Sequence, residues 1–125
     1  MSVVIAAREP LGRSIYDALS ERGLKVAESC AALEDTLAAV RRAHPDVCVV
    51  DRDLPGGGLA AIAALAGHGR RPRVIVIGGE SPAEVRAALL AGASECLSET
   101  IEPEELAAAV SAVVGKKTLG RKEQR

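Results

Sequence analysis

Asp51 closes the apolar run 47–50 inside PDVCVVDRDLPGGGL and opens a loop of proline and glycine. A carboxylate at the end of a buried strand can act as a nucleophile, a metal ligand or a helix-capping acid. Arg8 holds the matching place after the first apolar run, in VVIAAREPLG, with Ala7 before it and Glu9 and Pro10 behind it. Its guanidinium is a permanent forked cation, suited to carboxylates. Gly56, Gly57 and Gly58 could line a phosphate, yet they lack the Lys-Ser/Thr of a P-loop and the spacing of a dinucleotide site. Gly78-Gly79-Glu80 is likewise too short for a nucleotide fingerprint. Cys30, Cys48 and Cys96 are odd in number and too far apart for a CxxC pair or a zinc knuckle, so they read as reduced thiols. His44 and His68 supply no base beside a nucleophile.

Positioning these groups requires a frame, and the sequence supplies one. Residues 3–6, 24–28, 46–51, 73–77 and 93–97 are short runs rich in Val, Ile, Leu, Cys or Ala, the pattern of strands buried on both faces. Between them the apolar residues take helical spacing: Leu11, Ile15, Ala18 and Leu19; Leu33, Leu37 and Val40; Leu59, Ile62 and Leu65; Val85, Ala88 and Leu89; Leu106, Val110 and Val113. Pro10, Pro82 and Pro103 fall near helix starts, Gly23, Gly67 and Gly92 near helix ends, and Ser81 with Glu84 makes a capping box. Strict alternation predicts an α/β domain: a flavodoxin-like (βα)5 doubly wound parallel sheet, strand order 2-1-3-4-5. Ligands of such sheets sit where the strand order reverses, between the first and third strands, so the loops 7–11 and 51–58 form the expected site.

The totals bound the rest. A chain of 125 residues buries one core, and that core is aliphatic, since Tyr16 is the one aromatic residue. Sixteen basic against seventeen acidic side chains leave a net charge of -1, no footprint for nucleic acid or an anionic membrane. No apolar run approaches the roughly 20 residues that span a bilayer, and a cytoplasmic location is expected. Residues 115–125, GKKTLGRKEQR, carry no apolar periodicity and read as a basic linker or disordered tail after a domain at 1–114.

PDVCVVDRDLPGGGL, RVIVIGGE and ALLAGASECLSETIEPEELAAAV together resemble the third strand and loop, the fourth strand and the closing segment of bacterial response-regulator receiver domains, with the LuxR-type subclass most similar. The resemblance covers residues 3 to about 114 and implies a phospho-acceptor aspartate, whose place Asp51 holds. Other signature positions depart from the family. Where the family reads D-D-E/H-P, with two acids that hold Mg²⁺, this chain reads Ala7-Arg8-Glu9-Pro10; the family's hydroxyl after the fourth strand corresponds to Gly78, its lysine to Glu99 and its aromatic switch to Cys96. The expectation is an atypical receiver, a non-enzymatic regulatory and dimerisation module without Mg²⁺-dependent phosphorylation, with no metal and no cofactor, and with Arg8 as counterion to Asp51 and Glu99. The resemblance implies a homodimer through the fourth helix, fifth strand and fifth helix, a histidine kinase as possible partner, and DNA contact only through a domain beyond residue 125. The alternatives are a small-ligand sensor responding to an organic effector, a conventional receiver phosphorylated on Asp51, and an enzyme on the same frame.

Overall fold

The computed structural model describes residues 2–66 and 72–123, in which strands and helices alternate. They run β1 (Ser2–Ala6), α1 (Leu11–Ser20), β2 (Lys25–Cys30), α2 (Leu33–Ala43), β3 (Val47–Asp51), α3 (Gly58–Ala66), β4 (Arg73–Ile77), α4 (Pro82–Ala91), β5 (Glu95–Leu97) and α5 (Pro103–Glu123). Gly67, His68 and residues 124–125 lie outside the described residues. All neighbouring strands pair in parallel, in the order β2-β1-β3-β4-β5 that the alternation predicted. No described helix is long and apolar enough to cross a membrane.

Side chains of a strand alternate between faces, so the central strands feed two cores. Val3, Ile5, Val47, Val49, Ile75 and Ile77 meet Ile15 and Leu19 of α1 and Leu106 and Val110 of α5. Val4, Cys48, Val50, Val74 and Val76 meet Val40 of α2, Ile62 and Leu65 of α3 and Ala88 of α4. The register pairs Ala6 with Val50, so Ala7-Arg8 and Asp51 leave adjacent strands at the same level.

The margins of the sheet depart from the sequence reading. β2 begins at Lys25, ends at Cys30 and alternates exposed with half-buried residues, because an edge strand is covered on one side only. β5 is shortened to three residues. Helix α4 was expected to turn Val85, Ala88 and Leu89 inward, but it buries Ala88 alone and leaves Leu89 46% and Leu90 79% exposed. It packs on the short β5 and on α3, and that margin covers a single row of its side chains. Helix α5 buries Leu106, Ala107, Val110 and Val113, and its backbone continues to Glu123, past residue 114.

Cys48 is wholly enclosed in the second core, and burial pushes its thiol up from 9.0 to about 12. The folded chain therefore keeps a proton that the unfolded chain has lost above pH 9.0. Stability from this group is complete below the unfolded value and declines as pH rises toward the folded one, by about 1.4 kcal/mol per pH unit. Urea unfolding above pH 9 should show that slope, and Cys48→Ala should lack it; equal slopes in the two proteins would contradict the assignment.

Candidate functional site

The carboxyl ends of β1, β3 and β5 bring Arg8, Asp51 and Glu99 together, as the order of the strands requires. Asp51 is fully buried, the last residue of β3. Its Oδ1 accepts the Asp53 backbone N–H at 2.8 Å, and its Oδ2 accepts the Arg8 backbone N–H at 3.0 Å. Arg8 Nε also stands 3.0 Å from Oδ2, but off the line of a hydrogen bond, so that contact is an ion pair alone. The far end of the guanidinium serves two more carboxylates: Nη2 donates to Glu99 Oε1 at 3.0 Å and to Asp53 Oδ2 at 3.3 Å.

One cation thus faces three carboxylates. Arg8 against Asp51 and Glu99 alone sums to -1; with Asp53 included, three negative charges and one positive leave -2. Asp53 was missed although the D-x-D spacing was visible, because only the tight turn after β3, with the Leu54 N–H on the Asp51 carbonyl, folds it back toward Arg8. The Asp51 charge raises the Arg8 pKa against the effect of burial, with Glu99 and Asp53 adding to it. A guanidinium so raised stays protonated at every pH where the domain would work, so its stabilising contribution does not vary across that range.

The other expected site residues take different places. Ala7 is buried in the first core, its N–H on the Cys30 carbonyl at 2.9 Å. Glu9 turns away from Asp51 and accepts the Arg13 N–H at 3.1 Å, over the first turn of α1. The Mg²⁺ implied by the resemblance does not fit this donor set: Ala7 offers no oxygen, Glu9 serves α1, and a guanidinium already stands among the remaining carboxylates. Among the described residues no group of three or more His, Cys, Asp and Glu is arranged to hold a metal ion.

Gly78 adopts φ 120°, a backbone that disfavours a threonine or serine. A Cβ there would lie 3.1 Å from Arg52 Cβ, so residue 52 closely approaches the glycine backbone. The guanidinium of Arg52 continues to α4, with Nη1 3.4 Å from Glu84 Oε2. Cys96 is half-buried, its thiol pushed up chiefly by burial. The sulfur occupies the space in which Gly79 would carry a Cβ, and the Val85 methyl stands 3.2 Å from that position. Gly79→Ala should therefore cost about 1–3 kcal/mol by overpacking. Measured by urea unfolding, the same change should cost much less in a Cys96→Ala background; equal costs in both backgrounds would show that the sulfur is not the obstacle.

Known proteins share this frame. The model of the response regulator receiver domain family matches residues 3–111. The signal receiver domain of the response regulator NarL from Mycobacterium tuberculosis is 29% identical, with a TM-score of 0.84 over 90% of this chain and 94% of that one. A LuxR-family two-component response regulator from Aurantimonas sp. SI85-9A1 is 27% identical, with a TM-score of 0.81 over 92% of this chain and 85% of that one. The BeF3-activated receiver domain of Klebsiella pneumoniae RstA, 22% identical, shares the fold at a TM-score of 0.82 over 90% and 97% of the two chains. No curated protein sequence matches the chain. The family match runs from β1 into α5 and takes in every strand of the sheet, and the chain belongs to the response regulator receiver domains.

Proposed function

We propose that this receiver domain is a regulatory and interaction module that works without Mg²⁺-dependent phosphorylation of Asp51, with Arg8 as its resident cation. The observation that carries the reading is the contact of one guanidinium with Asp51, Asp53 and Glu99. Phosphoryl transfer needs a nucleophile free to attack in line and cationic groups around the equatorial oxygens. Both Asp51 oxygens are engaged, and the carboxylate is closed to solvent. Where the resemblance places a lysine, Glu99 brings negative charge, and where it places a hydroxyl, Gly78 has none. A donor phosphate would thus meet a net negative, already paired site.

The measurement is intact mass after exposure to a small phosphodonor with Mg²⁺. The mass should stay unchanged, and amide shifts around Asp51 should not move with beryllofluoride. A gain of about 80 Da, one phosphoryl group, that disappears in Asp51→Ala would return the domain to the phosphorylated receivers.

The same reading makes α4, β5 and α5 the face that meets a second copy, with residues 115–125 as the link to a DNA-binding output domain. Leu89 and Leu90 favour this face, because they are large apolar side chains that the fold leaves in water. Light scattering over a concentration series should show a dimer, and Leu90→Glu should leave a folded monomer. A wild-type protein that stays monomeric throughout would remove this interface.

A further inference from the structure

The charged groups at the mouth of the crevice close on themselves. Asp51 meets Arg8, and Arg8 meets Glu99. The Glu99 backbone N–H donates to Glu80 Oε2 at 2.9 Å, and Ser98 Oγ donates to Glu80 Oε1 at 3.0 Å. The Glu80 N–H donates to Glu84 Oε1 at 2.9 Å, while the other oxygen of Glu84 faces Arg52 Nη1 at 3.4 Å. Arg52 follows Asp51 in the chain, and its N–H donates to the Ile77 carbonyl at 2.9 Å. The circuit passes through the loops after β1, β3, β4 and β5.

Two features set Arg52 apart from a surface arginine. Its Cβ stands 3.1 Å from where a Cβ of residue 78 would lie, and its Nε is buried without a hydrogen-bond partner. Burying that N–H unpaired is unfavourable, and the ion pair of Nη1 with Glu84 is the contact that offsets it. Glu84 is also the third helical residue of α4, whose N–H donates to the N-cap Ser81 Oγ at 3.2 Å. The oxygen that in an ordinary capping box reaches back to the N-cap N–H is here on Glu80, one residue earlier, which ties the loop after β4 to the same carboxylate.

We propose that this ring couples the Asp51 crevice to the first turn of α4, with Arg52 as the positioning residue that joins them; the proposal rests on the reading of Arg8 as resident cation. The ring joins the two regions by ion pairs and by hydrogen bonds from the Glu80 and Glu99 backbone N–H groups. Opening it at any point releases the capping segment 80–84.

Amide hydrogen exchange in the whole 125-residue chain, without phosphodonor, tests the ring. The proteins are wild type, Arg52→Gln, Glu99→Gln and the double variant, with Val49 and Ile75 amides as the control for folding. Arg52→Gln should speed exchange at Glu80 and also at Glu99, which Arg52 does not touch, by roughly tenfold. The double variant should exceed the larger single effect only slightly, since a ring once opened is open. Arg52→Lys, which keeps the charge, should restore much of the protection. An unchanged Glu99 amide in Arg52→Gln, or effects that multiply independently in the double variant, would overturn the ring. Should Glu99→Gln unfold the domain, Glu84→Gln opens the same circuit from the other side and carries the same two outcomes. A wild-type gain of phosphoryl mass would instead overturn the reading of Arg8, so the two failures are told apart by different measurements.

Discussion

A carboxylate without access to water, at the end of the central strand of a parallel sheet, is the constraint from which the rest of the site follows. Removing an ionised group from solvent is costly unless charge and hydrogen bonds replace the water. For Asp51 the replacement comes from two backbone N–H groups and from Arg8, whose own N–H and guanidinium both reach Oδ2. The parallel register of β1 on β3 makes this possible, because Ala6 opposite Val50 puts residue 7 at the height of residue 51 and residue 8 one step beyond, its N–H within reach of the Asp51 carboxylate. Had the order placed another strand beside β3, no residue of the first loop would stand there.

A guanidinium and a dication solve the same electrostatic problem with different consequences. An exchangeable ion brings two charges and open coordination positions, through which a phosphate oxygen can be bound. A side chain brings one charge and cannot dissociate. The site here consequently retains a net negative charge of about 2 while the carboxylates remain paired, counting each ionised group as one unit. Such a field repels anions, which supports the proposed role of presenting a surface over that of storing a transferred group.

Much of this was legible in the sequence, and the remainder fails for identifiable reasons. β4 occupies residues 73–77 as read, and the strand order followed from alternation alone. The meeting of Arg8 with Asp51 and Glu99 was readable because topology fixes which loops converge. Asp53 was not, since its approach depends on the turn after β3, and neither was Glu80, which acts through backbone N–H groups that every residue carries. Gly79 looked like half of a weak glycine motif; its cause is the sulfur of Cys96, seventeen residues away on another strand. Helix α4 misled for a further reason. Apolar spacing says that a helix has an apolar face, and not whether this chain covers it.

The departures at 7, 8, 78, 96 and 99 form one consistent set when taken as charges and volumes. Negative charge at Glu99 would stand unbalanced opposite Asp51 and Asp53, and Arg8 is the group that reaches all three. A glycine at 78 allows the start of the loop after β3 to come close, with Arg52 Cβ 3.1 Å from where a Cβ of residue 78 would lie. That choice places a second guanidinium near the crevice, and Glu84 meets it from α4. A small side chain at Cys96 in turn lets Gly79 come close enough for its neighbour Glu80 to accept from the loop after β5. Each change by itself would leave a charge without a partner or a space without an occupant. Together they give a crevice whose carboxylates are paired from within the chain, and the first turn of α4 is tied to it through Glu84 and Arg52.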